Sequence, residues 1–286
     1  MNILLIGGSG RLGGAFERQL GARHRLISPA PDAFDITDSS AAREAFKDID
    51  PDWIVNCAAY TNVDAAEGEG AASAWRVNAL APAVMAGAAS SLGIPFMQIS
   101  TDYVFGRDEQ ASYKEDDQPA PLNVYGESKW LGELATLAAH PGACVVRTSR
   151  LYGPAAVIAG SKPSFDEIVR NLAAKAKTFP ITRGEIAIPT LVDDLVLHVE
   201  THLLTNTAKA KGIFHAANGG PGCTWFEWAK AIVEELGLEA VVAPGDPKAN
   251  ARPAARPSNS TLVSTRLPSM RPWRDALGAY LRGLTR

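Results

Sequence analysis

With 286 residues, 46% of them hydrophobic and 21% charged, the chain can bury a core large enough for one large domain or two intimate ones. A net charge of −3, with the basic residues scattered, argues against nucleic-acid or anionic-membrane partners. No stretch reaches the ~18 apolar residues of a membrane span, and MNILLIGG lacks the basic region of a signal peptide, so a cytoplasmic protein is expected.

Asn2 to Ile6 is an apolar run ending in glycines and reads as a buried strand. Arg11 to Leu20 has helical spacing and stops at Gly21. Arg25 to Ser28 is a weaker strand, Ser39 to Phe46 a helix with Asp38 as N-cap, and Asp52 to Cys57 a third strand. A long Ala-rich helix is expected from about Ala71 to Leu92, with Gly93 as its C-cap. Pro95 to Ser100 is a strand, Thr101 to Pro121 a long polar active-site loop, Leu122 to Ala139 a helix and Cys144 to Thr148 another strand.

This alternation predicts an α/β fold: a Rossmann-like, doubly wound parallel sheet over residues 1–149. Beyond residue 150, prolines and glycines are frequent and elements shorten. Helices are expected near Phe165 to Ala176, Asp193 to Leu204, Thr224 to Leu236 and Trp273 to Leu284, and a strand at Gly212 to Ala216. Pro244 to Pro257 reads as irregular. Residues 150–286 are taken as mainly a smaller C-terminal substrate-binding domain, with elements around 187–216 returning to the first domain. Cys57, Cys144 and Cys223 lack metal-ligand spacing and read as buried hydrophobes in a reducing compartment; no metal site is expected.

Gly7, Gly10 and Gly13 stand between the first strand and the first helix. Without a Cβ, such a loop turns tightly and lets backbone approach a pyrophosphate at the helix N-terminus. Arg11 and Leu12 lie inside the loop. NAD enzymes usually carry an acidic residue at the end of the second strand, but here Ile27-Ser28-Pro29-Ala30-Pro31 precedes the first carboxylate, Asp32. Arg11 is the candidate partner for a 2′-phosphate, so NADPH is favoured slightly over NADH. Asp35 and Ile36 are candidates to flank the adenine ring.

Tyr125 and Lys129, at i and i+4, share one helix face. Reduction of a ketone needs a proton donor at oxygen while hydride reaches carbon. A nearby ammonium can lower the phenol's pKa and also bond the nicotinamide ribose. Ser100, Thr101 and Asp102 end the fourth strand, and the carboxyl ends of parallel strands are where ligands bind, so a hydroxyl there can steady the substrate oxygen.

The stretches MNILLIGGSGRLGG, PDWIVNCAAYTNVDAAE, RVNALAP, ISTDYVFG, YKEDDQPAPLNVYGESKWLGE, VVRTS and ARPSNSTL span nearly the whole chain. In that order they resemble the extended short-chain dehydrogenases/reductases, and within them the dTDP-4-dehydrorhamnose reductase family, which makes dTDP-rhamnose for cell-surface polysaccharides. The resemblance implies Tyr125 as proton donor, Lys129 as its pKa partner and ribose contact, Thr101 as carbonyl partner, and Asp102 as tuner of that network. It implies that Ala58, Ala59 and Tyr60 line the cofactor, that Asn78 braces backbone, and that Arg256 and Asn259 contact a nucleotide-sugar substrate. Trp225, Phe226 and Trp228, at helical spacing, are expected in the core.

The family usually reads R-T-S-W after the fifth strand; this chain reads Arg147-Thr148-Ser149-Arg150. An arginine turned into the pocket would suit a carboxylate, phosphate or more polar keto-sugar nucleotide; one turned to solvent would leave the deoxysugar acceptable. A binding role is the other alternative, since the NADP-binding regulatory subunit of methionine adenosyltransferase shares this fold. A homodimer is compatible with all of these.

Overall fold

A computed structural model describes residues 1–107, 110–155, 162–246 and 252–284. Its frame is a six-stranded, all-parallel sheet built from β1 (Asn2–Ile6), β2 (Arg25–Ile27), β3 (Trp53–Asn56), β4 (Phe96–Thr101), β5 (Cys144–Thr148) and β9 (Gly212–His215), in the order β2-β1-β3-β4-β5-β9. The winding reverses between β1 and β3. In such sheets the crevice at that reversal, beyond the carboxyl ends of the strands, is where ligands bind.

Both faces of the sheet are covered, which is why β3, β4 and β5 are buried along their whole length. On one face α1 (Arg11–Leu20) and α7 (Val192–Val199) pack Leu12, Phe16, Leu20, Leu195 and Val199 against Ile3, Leu5 and Val55. On the other, α2 (Ser39–Ile49) and α4 (Ala81–Leu92) pack Phe46, Met85 and Ala89 against Leu4, Ile54 and Phe96. Each fully buried side chain of that size contributes about 1.5–3 kcal/mol. Asp38 caps α2, its carboxylate accepting from the amides of Ser40 and Ala41 at 2.8 and 3.1 Å.

A second cluster unites β6 (Leu151–Tyr152), α6 (Phe165–Lys175), β7 (Thr178–Thr182), β8 (Thr190–Leu191), α8 (Trp225–Glu235), β10 (Val241–Gly245) and α9 (Trp273–Leu284) around Tyr152, Phe179, Trp228, Trp273 and Leu277. Although late in sequence, β9 is an edge strand of the large sheet, and α7 packs against that sheet.

Three expectations change. The Ala-rich helix runs over residues 71–92 and is capped by Gly93 as expected, but it is not regular: α3 (Ala71–Trp75) passes through a π turn at Arg76–Leu80 into α4. Val241–Gly245, partly inside the stretch read as irregular, is a strand paired in parallel with β7; residues 247–251 lie outside the described residues. Pro180 and Pro244 hid that pair, and they are tolerated because both of its strands are edges. The loop after β4 opens with a 3₁₀ turn at Asp102–Val104 and buries Val104, Phe105 and Tyr113 with Leu262, so it is firmly packed rather than merely polar.

Candidate active site

The glycine loop connects β1 to α1 at the winding reversal. Gly7 has φ +77°, and a Cβ there would fall 2.6 Å from the Ala58 amide nitrogen. A Cβ on Gly13 would fall 2.4 Å from the Cα of Gly8, so α1 reaches the sheet only because position 13 has no side chain. Beside the loop lies a cavity of about 600 Å³, lined among others by Gly7, Gly10, Asp35, Ile36, Ala58 and Ala59. Pro29, Phe34 and Val77 give it apolar walls suited to a flat ring, and the N-terminus of α1 is the anion-favouring end. These residues fit a dinucleotide.

Six residues expected at the cofactor stand outside that lining: Arg11, Leu12, Gly13, Tyr60, Tyr125 and Lys129. Leu12 belongs to the core under the sheet, and Gly13 packs against Gly8. Tyr60 has its backbone N–H and C=O held by Asn78, whose amide also donates to the Ser128 hydroxyl at 3.0 Å; Asn78 thus braces two elements together.

Arg11 is the clearest correction. Its Nη1 donates to the carbonyls of Gly153 at 2.5 Å and Pro154 at 2.9 Å, and its Nη2 faces Lys162 O and the Glu167 carboxylate. The guanidinium ties α1 to the second lobe and is not turned toward the end of β2. The cation that does line the cavity is Arg76, which sequence reasoning passed over. Its guanidinium meets the Asp35 carboxylate at 2.6 Å and the Thr37 hydroxyl at 3.1 Å. Its place in RVNALAP was the available signal.

Tyr125 and Lys129 lie on α5 (Val124–Ala139), whose N-cap Asn123 accepts from the Gly126 amide at 2.8 Å. Gly126 allows the close crossing, since a Cβ there would fall 2.2 Å from Tyr103 O. The phenol of Tyr125 lies near enough to the Thr101 side chain at the end of β4 for that hydroxyl to pull its pKa down, and its ring meets Tyr103 edge-on at 5.9 Å. Burial outweighs that pull and pushes the pKa up to about 12. Lys129 does not reverse that shift. Its buried Nζ donates to Ile99 O at 2.6 Å, and burial lowers its pKa to about 8 against the opposing pull of Glu133. Glu133 accepts the Ser100 hydroxyl at 2.5 Å and forms a buried ion pair with Arg147 at 2.6 Å.

Asp102 is 3% exposed, and its carboxylate accepts three hydroxyls: Thr101 at 3.1 Å, Ser149 at 2.8 Å and Ser260 at 2.6 Å. Burial raises its pKa in spite of them. Ser149 and Ser260 were not singled out from the sequence, although each sits in a quoted motif.

The segment 252–260 crosses this face. Arg256 is paired with Asp64 at 2.9 Å and with Ala254 O, and Arg252 with Glu185 at 3.3 Å. Asn259 is spent internally: its amide donates to Ala111 O and accepts from the Thr261 amide, so its place as a substrate contact passes to no free group.

Arg150 follows neither alternative weighed from the sequence. It is partly buried, but its Nη1 donates to Cys223 O at 2.7 Å, its Nη2 donates to Glu185 O, and its Cζ sits 4.1 Å from the centre of the Trp225 ring. Trp228 is core, as expected, whereas Trp225 and Phe226 are only partly buried. Arg150 and Glu185, with φ of +41° and +66°, are two of the three described non-glycine residues with positive φ. Such backbone costs about 1–3 kcal/mol each and persists where the surroundings over-determine it.

Comparison with known proteins follows this geometry. The family model described as RmlD substrate binding domain matches residues 1–286. A dTDP-4-dehydrorhamnose reductase of Mycolicibacterium smegmatis is 36% identical over 283 residues, covering 96% of this chain and 83% of that protein. The crystal structure of a dTDP-4-dehydrorhamnose reductase from Clostridium acetobutylicum superposes with a TM-score of 0.90 at 31% identity, over 100% of both chains. That of the Bacillus anthracis dTDP-4-dehydrorhamnose reductase in complex with NADP gives 0.90 at 30%, over 99% of both.

Proposed function

Since the chain belongs to the RmlD substrate binding domain family, we propose that it is an NADPH-dependent reductase that converts dTDP-4-dehydrorhamnose to dTDP-rhamnose. The observation that supports the reading is that Tyr125 lies near Thr101 at the carboxyl end of β4 while Lys129 donates to Ile99 O in the same strand, beside the dinucleotide-shaped cavity at the winding reversal. Cys57 joins the two, since it lines the cavity and its thiol, kept protonated by burial, lies within the field of the Lys129 ammonium.

The bound cofactor supplies a hydride to the C4 carbonyl carbon. The chain's own residues manage the proton and the charge. Tyr125, held protonated at neutral pH by burial, gives its phenolic proton to the oxygen as the C–H bond forms. A phenol with pKa about 12 is still acidic enough for an alkoxide, and a reductase needs its acid protonated at the start. The Thr101 hydroxyl, oriented by Asp102, shares the developing charge. Lys129 keeps a positive charge on the cofactor side of Tyr125 and is placed to meet the nicotinamide ribose. Arg256, once its pairing with Asp64 is exchanged, is suited to the substrate's diphosphate.

The test is NADPH consumption with dTDP-4-dehydrorhamnose, product identity being checked as dTDP-rhamnose. Absence of turnover with intact NADPH binding would favour the binding-protein alternative. The reaction is assigned to the cytoplasm, consistent with no described helix being long and apolar enough to cross a membrane; sedimentation of the purified protein tests for a homodimer.

A further inference from the structure

Glu133 stands one helical turn beyond Lys129 on α5, at the spacing from which a carboxylate ordinarily reaches a lysine directly. Here the two side chains take different partners. The Lys129 ammonium donates to Ile99 O at 2.6 Å. The Glu133 carboxylate is filled from the sheet instead. Ser100 on β4 donates its hydroxyl to Oε1 at 2.5 Å. Arg147 on β5 donates from Nε to both oxygens, at 3.0 and 3.1 Å, and from Nη2 at 2.6 Å.

Both members of this ion pair are 1% exposed. Arg147 is closed on its far side as well. Its Cζ lies 5.0 Å from the centre of the Phe105 ring, and its Nη1 faces His215 Nε2 at 3.4 Å. The other ring nitrogen of His215 faces the carbonyl of Val263, so Nδ1 carries the proton and Nε2 accepts. Burial pushes the His215 pKa down to about 4, and the ring offers Arg147 a neutral acceptor. A buried ion pair is often no more stabilising than apolar residues of the same volume, because desolvation of both ions offsets their attraction. What it does supply is a fixed charge. Among the other groups on or against α5, Tyr125 stands one turn before Lys129, Glu67 is bound to the Val124 amide, Arg76 is turned to Asp35, and Asp102 is held by hydroxyls. Burial lowers the Lys129 pKa to about 8, and Glu133, then the Cys57 thiol, oppose it.

We infer that Glu133 is a positioning residue for the reduction: clamped by Arg147 and Ser100, its carboxylate gives Lys129 a fixed counter-charge without capturing the ammonium, which stays turned to β4. The inference rests on the reductase reading above. An unclamped Glu133 would close on Lys129 and draw it one turn away from Tyr125. A missing one would leave the ammonium buried with less to balance it, and the proton would leave at lower pH.

The experiment follows the Lys129 ε-carbon by NMR through a pH titration of protein labelled with carbon-13 lysine, the signal being assigned by its loss in Lys129→Met. The pH profile of kcat/KM for dTDP-4-dehydrorhamnose is recorded beside it. Glu133→Gln keeps the shape and removes the charge. The double variant Glu133→Met, Arg147→Met removes both charges, so neither ion is buried alone, and it guards against a single variant that fails to fold. In the wild type the lysine midpoint and the falling limb should coincide at about 8. In Glu133→Gln both should move together to lower pH by about one unit, and in the double variant by about half as much, since the repulsion from Arg147 is gone too. A merely structural pair would change the melting temperature and leave both midpoints in place, which overturns the inference. A shifted lysine midpoint with an unmoved limb overturns it as well, because the limb would then belong to another group. A wild type that does not reduce dTDP-4-dehydrorhamnose removes the reductase reading, while the lysine midpoints alone still decide whether Glu133 governs the charge on Lys129.

Discussion

The two sides of the catalytic cleft are built from different materials. On the side of the dinucleotide-shaped cavity, Gly7, Gly10, Ala58 and Ala59 form part of the wall, and Gly13 brings α1 down onto the sheet. Little there can move, because the strand ladder sets the positions. On the side proposed for the substrate stand long side chains, Arg150, Glu185, Arg252 and Arg256, each held by a partner within the chain. The first construction tolerates no added atoms. The second tolerates size but depends on charge and alignment. Tyr125 stands at the seam between them.

The largest effect should come at that seam. Tyr125→Phe should lower kcat by about 10²–10⁴-fold with NADPH affinity unchanged, since only the proton donor is lost. Stopped-flow single turnovers would expose any error, near-normal rates being incompatible with the assignment.

Next should come an added methyl on the cofactor side. Gly13→Ala, whose Cβ meets Gly8 backbone at 2.4 Å, should cost about 1–3 kcal/mol of stability and weaken NADPH binding together. A variant with wild-type melting temperature and NADPH affinity would break the contrast drawn above.

Lys129 offers a test by pH. Burial lowers its pKa to about 8, so the ammonium is present below that value and lost above it. The kcat/KM profile should therefore fall as pH rises through about 8, and this limb should be absent in Lys129→Met, whose rate is low throughout. A limb unchanged in the variant would assign it to another group.

Asp64→Asn tests the substrate side. Its partner Arg256 is 11% exposed and Asp64 itself 38%, so solvent screens much of the pair. Releasing Arg256 should lower KM for the sugar nucleotide by no more than about fivefold, and the change should shrink with added salt. Smallest of all should be the cofactor effect of Arg11→Ala. With that guanidinium on Gly153 and Pro154, the NADPH-to-NADH affinity ratio should stay within about twofold on fluorescence titration. A selective loss of NADPH binding would restore the 2′-phosphate role.

The same contrast explains what could be read from the sequence. A glycine loop acts through the absence of side chains and through local spacing, so Gly7, Gly10 and the β1–α1 unit were legible, as were Tyr125 and Lys129 at one turn's separation. Arg11 was misjudged because a flexible side chain can reach over 140 positions along the chain, to Gly153, and nothing local records its destination. Arg150 was misjudged in the same way. Inward and outward were weighed, but the carbonyls of Cys223 and Glu185 become neighbours only when two lobes meet. Ser149 and Ser260 converge on Asp102 from positions 111 residues apart, and spacing cannot reveal such a meeting. The β7–β10 pair escaped notice because its prolines mimic loop composition.

Ser260 also fixes an order in time. The dinucleotide cavity draws on residues between Ile6 and Val77, whereas Asp102 receives its third hydroxyl from position 260, and the second lobe closes on α9 at Trp273–Leu284. A ribosome delivers the amino-terminal part first, at roughly 5–20 residues per second. The residues of the dinucleotide cavity therefore leave the ribosome many seconds before the chain can hold a sugar nucleotide in register. A polypeptide made only as far as Val77 has the residues that line the cavity but lacks Thr101, Tyr125, Lys129 and Ser260, so the reducing centre is complete only once position 260 has been added.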